Sequence, residues 1–140
     1  MGLLKLKLKN NLDEIDRLFE SIRSFGEAHG LSRKQAFQLN LVIEELFTNI
    51  VSYAYRDRKE HWIHVTISCG DGRLSICIED DGIPFNPITA GKPDLDGAVE
   101  ERKIGGLGIH LCKELMNNMQ YRRKNNRNIL ILTKTLPTNS

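Results

Sequence analysis

Glu45 and Asn49 stand one helical turn apart, the first of three groups whose residue types and spacing suit chemistry. Side chains at i and i+4 leave a helix from one face. An amide oxygen is a hard ligand that suits Mg²⁺, an ion that keeps several waters and takes few protein groups besides substrate phosphates. A carboxylate beside it is placed to accept a proton from an attacking hydroxyl or water. The plain alternative is an exposed helical pair with no role. The helix favours a cleft, because Leu41, Val42, Ile43, Leu46 and Phe47 make it apolar almost all round, with Glu44 expected to be solvated and inert.

The second group is Asp80-Asp81-Gly82-Ile83-Pro84-Phe85. Asp71-Gly72 is a strong tight-hairpin signal between two alternating strands, His61 to Cys69 and Arg73 to Asp80. With those two residues as the turn, Ile67 opposes Ile76, Val65 opposes Ile78, and Cys69 opposes Leu74. Both strands then put their aliphatics on one face. Asp80 closes the apolar row Leu74, Ile76, Ile78, where a carboxylate is costly unless something pairs with it. Either the strand has already ended and Asp80 sits in a turn, or Asp80 is an acceptor at the bottom of an apolar pocket, suited to the amino group of a purine. Gly82 beyond it lets the backbone approach a flat base.

The third group, Gly105-Gly106-Leu107-Gly108-Ile109, opens a helix. Glycines ahead of a helix N-terminus expose N–H groups and the positive end of the dipole to an anion. The spacing is not G-x-G-x-x-G after a strand, no Gly-Lys-Ser/Thr follows, and His-Arg-Asp and Asp-Phe-Gly are absent. A bound nucleotide therefore implies some other fold.

The elements that must position these groups follow from periodicity. Leu4, Leu6 and Leu8 alternate with lysines as in a half-buried strand, which also argues against a signal peptide. Ile15, Leu18, Phe19, Ile22 and Phe25 recur at helical spacing up to Gly30. Ser32 and Gln35 form a capping box for a second helix, with a stripe through Leu39, Val42, Ile43, Leu46, Ile50 and Tyr53. From Asp81 to Gly105 no periodicity survives, and a loop this long reads as a functional lid. A third helix carries Ile109, Cys112, Leu115, Met116 and Met119. Two strands close the chain, Gln120 to Lys124 and Asn128 to Thr135, turning at Asn125-Asn126-Arg127. The order β-α-α-β-β-loop-α-β-β predicts an α+β two-layer sandwich, a largely antiparallel mixed sheet with about three helices packed on one face.

Composition sets the bounds. The 140 residues suit one domain, spanning 1–140 with the lid around 81–105, and 40% hydrophobic and 27% charged residues are ordinary for a globular protein. A net charge of +2 argues for neither nucleic acid nor a membrane surface, and no apolar stretch approaches the ~20 residues of a membrane span. The basic run Arg122 to Arg127 reads as a solvated hairpin tip. Cys69, Cys77 and Cys112 match no zinc or disulfide pattern and read as structural thiols. The cytoplasm is the expected compartment.

Taken in order, the three groups resemble the N, G1 and G2 boxes of the GHKL ATPase superfamily, which includes gyrase and histidine-kinase ATP-binding domains. The chain is most similar to the anti-sigma-factor serine kinases of bacterial partner-switching systems. The resemblance implies a GHKL (Bergerat-type) fold with ATP and Mg²⁺ as cofactors. By motif, Asn49 matches the Mg²⁺-binding asparagine, Glu45 the general base and Asp80 the aspartate that recognises the adenine amino group. Gly82 matches the glycine that follows it, and Gly106 and Gly108, flanking Leu107, match the lid glycines around the phosphates. Pro84-Phe85-Asn86-Pro87 resembles the family's Pro-Phe-Asp-Pro, with Asn86 in place of an aspartate, and Arg102 and Lys103 are candidates for lid contacts to phosphate. The resemblance further implies an antagonist protein phosphorylated on serine, a sequestered sigma factor and a possible homodimer. A nucleotide-binding module without phosphotransfer and a stand-alone histidine-kinase catalytic domain are the competing readings.

Overall fold

The alternation at the N-terminus becomes strand β1 (Gly2–Lys9), with Leu8 fully buried and Lys5, Lys7 and Lys9 in water. The structure, a computed structural model, describes residues 2–90 and 106–137. Asn11 caps a 3₁₀ turn at Leu12–Glu14 by accepting from the Asp13 N–H at 2.9 Å, and the chain continues into α1 (Ile15–Ala28). Leu18, Ile22 and Phe25 face inward from α1, whereas Phe19, placed on the same stripe by its spacing, is 43% exposed. Gly30, with φ +78°, allows the chain to turn away after the helix.

The capping box at Ser32 forms as its sequence predicts. Ser32 Oγ accepts from the Gln35 N–H at 3.0 Å, and Gln35 Oε1 accepts from the Ser32 N–H at 2.9 Å. It opens α2 (Arg33–Tyr53), which buries Leu39, Val42, Ile43, Leu46, Phe47 and Ile50. Tyr53 is not part of the core; it leans on Phe85 with ring centroids 5.9 Å apart. Strands β2 (Trp62–Gly70) and β3 (Arg73–Asp80) pair in the register derived from their turn, in which Asp71 and Gly72 both have positive φ.

After β3 the chain makes one helical turn, α3 (Pro87–Ala90), inside the span that shows no periodicity. Asn86 Oδ1 accepts from the Ile88 N–H at 3.0 Å, and proline at the first helical position needs no donor of its own. Residues 91–105, with Arg102, Lys103 and Gly105 of the sequence reading, lie outside the described residues. Helix α4 (Gly106–Leu115) leads to β4 (Asn118–Lys124) and β5 (Arg127–Thr135). Their turn has two residues rather than three, because Asn125 and Asn126 both tolerate positive φ (+53° and +61°) in a mirror-type hairpin. Arg127 instead begins β5 and donates to Glu79 at 2.7 Å.

The sheet order is β1-β2-β3-β5-β4, so the chain passes beyond β5's position to the far edge and returns between β3 and β4. Every neighbouring pair is antiparallel; the mixed character expected for the sheet is absent among the described strands. One face of the sheet, through Leu8, Ile63, Val65, Ile67, Leu74, Ile76, Ile78, Leu130 and Leu132, packs in one core with α1, α2 and α4. No helix among the described residues is long and apolar enough to cross a membrane. The Ser32 cap satisfies a helix-end N–H that α2 itself leaves without a partner, so Ser32→Ala should lower stability by about 0.5–2 kcal/mol, read as a shifted urea midpoint with an unchanged slope.

Candidate functional site

Asp80 is 1% exposed at the end of its aliphatic row, so the strand has not ended before it. Its Oδ1 accepts from the Gly82 N–H at 2.9 Å and from Asn128 Nδ2 at 2.8 Å. Burial nevertheless pushes its carboxyl above the usual carboxylate range, with those two donors and Arg123 opposing and Asp81 adding to the rise. Asp81 turns the other way, into a separate exposed cluster: its carboxylate accepts from the Tyr55 hydroxyl at 3.3 Å and lies 3.2 Å from His61 Nδ1.

Gly82 is pressed against the end of α2. A Cβ there would fall on the carbonyl oxygen of Ala54, and the neighbouring Ile83 N–H donates to that same oxygen at 2.8 Å. This contact needs glycine for close approach. It fixes the loop after β3 to the C-terminal end of α2.

Farther up α2, Glu45 is half-buried and Asn49 is 5% exposed, so the pair is not the open, solvated helical pair of the plain alternative. Desolvation raises the Glu45 carboxyl above its ordinary 4.5, the charge of Glu44 adds to the rise, and the Asn49 amide opposes it. Glu44 is itself half-buried and within 3.5 Å of Asn40 Nδ2, so it is neither fully solvated nor without effect on its neighbour. Gly106, Leu107 and Gly108 form the first turn of α4. A Cβ on Gly108 would fall on the Glu45 carboxylate. One turn on, the Cys112 thiol points at the Val42 carbonyl (3.8 Å), and burial together with the Glu45 charge pushes its pKa up to about 12. It is an inert packing group.

The three sequence groups therefore meet along one helix. Ala54 stands nine residues beyond Glu45, about 14 Å along an α-helix axis. One end of this ruler carries Asp80 and Gly82, the other Gly108, and Asn49 lies between. Asn49 brings one amide oxygen, the hard donor type that Mg²⁺ takes beside waters and phosphates; no cluster of three or more acidic, histidine or cysteine side chains occurs among the described residues. A cleft of about 380 Å³ between α1 and α2, lined by Phe19, Ile22, Leu31 and Phe37, touches none of these groups.

Sequence reasoning missed Asn128, Tyr121 and Arg123. Asn128 ends the row Leu132, Leu130 of β5 just as Asp80 ends its own, and the same argument would have singled it out. Arg123 follows Met119 and Tyr121 on the inward row of β4, so it does not belong to a solvated tip. It donates to the Gly82 carbonyl at 2.8 Å and to Asn128 Oδ1 at 3.1 Å, while Arg122 and Lys124 stay exposed.

The profile of the histidine kinase-like ATPase domain family matches residues 8–134. The chain is 31% identical over 102 residues to serine/threonine-protein kinase BtrW of Bordetella bronchiseptica, covering 73% of this chain and 72% of that protein. It is 36% identical over 88 residues to serine-protein kinase RsbW of Bacillus mycoides, covering 59% of this chain but only 53% of that protein. Among solved structures, the Acinetobacter baumannii histidine kinase AdeS superposes with a TM-score of 0.54 over 99% of this chain and 70% of that one; at 13% identity this is a likeness of fold.

The raised Glu45 carboxyl has a consequence for stability without nucleotide. An acid whose folded pKa exceeds its unfolded value leaves stability intact below the unfolded pKa and reduces it as pH rises through the folded one. The stability of the parent relative to Glu45→Gln should therefore be greatest at pH 4 and fall as pH climbs above 4.5. Thermal unfolding of both proteins from pH 4 to 7 checks this, and a level difference would contradict the raised carboxyl.

Proposed function

Because this chain belongs to the histidine kinase-like ATPase domain family, we propose that it is a Mg²⁺-ATP-dependent protein-serine kinase working as one ATP-binding domain across residues 1–140. The observation that carries the reading is the pair of glycine contacts on α2, Gly82 on Ala54 and Gly108 on Glu45. They support a base-recognition end at Gly82 and a phosphate end at Gly108, at opposite ends of one helical rod.

In this reading Asp80 accepts from the adenine amino group and Gly82 lies against the ring. Gly106, Leu107 and Gly108 offer N–H groups of the first turn of α4 to the phosphates. Asn49 would hold Mg²⁺, which when bound supplies charge neutralisation to the phosphate oxygens. A serine hydroxyl of the protein substrate attacks the γ-phosphorus, its proton passes to Glu45, and the bond from the γ-phosphorus to the bridging oxygen breaks to release ADP. A carboxyl whose pKa is raised toward working pH is the better base. Glu45 also favours a kinase over a pure nucleotide-binding module, which needs Asn49 and Asp80 but no base.

The relatives named as serine-protein kinases support a partner-switching role. The phospho-acceptor is then a small antagonist protein, and the second partner a sigma factor held in an alternative complex in the cytoplasm. Neither nucleic acid nor membrane is a direct partner.

Glu45→Gln tests the chemistry. It should bind Mg²⁺-ATP nearly as the parent does while phosphorylating the antagonist about 10²–10⁴-fold more slowly, as loss of a general base does. Parental transfer would remove Glu45 from the base role, whereas a parent that binds Mg²⁺-ATP and transfers nothing would leave the binding module as the better reading. Asn49→Ala should fold normally yet lose the Mg²⁺-dependent part of ATP affinity, measured by titration with and without the metal.

A further inference from the structure

We propose that Asn128 is a positioning residue for base recognition, its amide holding Asp80 in the orientation that leaves one carboxylate oxygen to read the exocyclic amino group of adenine. The inference rests on the ATP-binding reading above. Asn128 lies directly opposite Asp80 in the β3–β5 pairing and is 3% exposed. Its Nδ2 donates to Asp80 Oδ1 and to the Ile83 carbonyl, both at 2.8 Å. Its Oδ1 accepts from the Phe85 N–H at 3.2 Å, from the Tyr121 hydroxyl and from Arg123 at 3.1 Å.

These partners decide which end of the amide is nitrogen. Turning it over would set its oxygen against two oxygens and leave three donors facing an NH₂ group. With the amide so locked, Asp80 Oδ1 receives both Asn128 and the Gly82 N–H, whereas no donor among the described residues reaches Oδ2. Oδ2 is the acceptor that remains for a ligand. Arg123 bonds both Asn128 and the Gly82 carbonyl, so the same cluster sets the carboxylate and the glycine surface that must meet one planar base. The other charged or titratable groups around Asp80 are Asp81 on its own loop, Tyr55 beyond α2, and Tyr121 and Arg123 from β4.

The test compares ATP with inosine triphosphate, which presents a carbonyl oxygen in place of the amino group, by calorimetry on the full chain with Mg²⁺. The parent should prefer ATP by roughly tenfold to a hundredfold, the worth of one charge-assisted hydrogen bond. Asp80→Asn should erase that preference. If the parent shows no preference, or Asp80→Asn keeps it, the base pocket itself is misassigned and the inference falls with it. With both results as expected, Asn128→Ala should bring the ratio of the two affinities most of the way to one. A merely structural Asn128 would weaken both nucleotides alike and leave the ratio at its parental value, which overturns the proposal. Asn128→Asp keeps the volume and an acceptor for the three donors, and serves if the alanine variant does not fold. It sets a second carboxylate against Asp80, so the preference for ATP should be lost where both are ionised and return as falling pH puts a proton on the pair, while the parental ratio changes little. A parental, pH-independent ratio in Asn128→Asp also overturns the role.

Discussion

Asp80 holds a carboxylate at 1% exposure at the end of the row Leu74, Ile76, Ile78, where an unpaired charge would cost several kcal/mol. Donors reach it from two directions. The chain doubles back so that the Gly82 N–H meets Oδ1, and β5 lies beside β3 so that the Asn128 amide meets the same oxygen. Strand order, loop path and the inward turn of Arg123 all serve this one group. The carboxyl group at this buried position is held by hydrogen bonds rather than by a direct ion pair, and both donors go to Oδ1.

Helix α2 converts that local arrangement into a site. Its capping box fixes where it begins, and Leu39, Ile43, Leu46 and Ile50 hold it against the sheet. The candidate polar residues Glu45 and Asn49 lie along the same rod, which ends at the Ala54 carbonyl. Two glycines from distant parts of the chain close on it, and at each a side chain would collide with α2. The glycines thus act through close approach, neither having a positive φ, because the loop after β3 and the start of α4 must sit directly on the helix.

The electrostatics follow from the same packing. Glu45 is desolvated by α4 lying over it, its carboxyl is raised further by the half-buried Glu44, and Cys112 is held un-ionised first by burial and then by the Glu45 charge. A single helix–helix contact therefore tunes a candidate base and silences a thiol. The His61–Asp57–Asp81 cluster keeps Asp81 engaged elsewhere and separates the two adjacent aspartates into one exposed and one buried group.

Much of this was legible in the residues. Period-two and helical spacing located the strands and helices, the Asp71-Gly72 turn set the β2–β3 register residue by residue, and Ser32 with Gln35 placed the start of α2, since each is a local rule that a short stretch of chain obeys by itself. The polar residue ending an apolar row pointed to Asp80 for the same reason. What local rules do not contain is which strand lies next to which. The return of β5 between β3 and β4 is what brings Asn128 to Asp80 across 48 residues of sequence and turns Arg123 from a surface charge into a clamp on Gly82. The contact between Gly108 and Glu45 likewise depends on how α4 crosses α2. The sequence by itself determined the elements and the residues that chemistry would need; only tertiary structure decided their partners, because burial and hydrogen bonding of a group are set by whatever the rest of the chain packs against it.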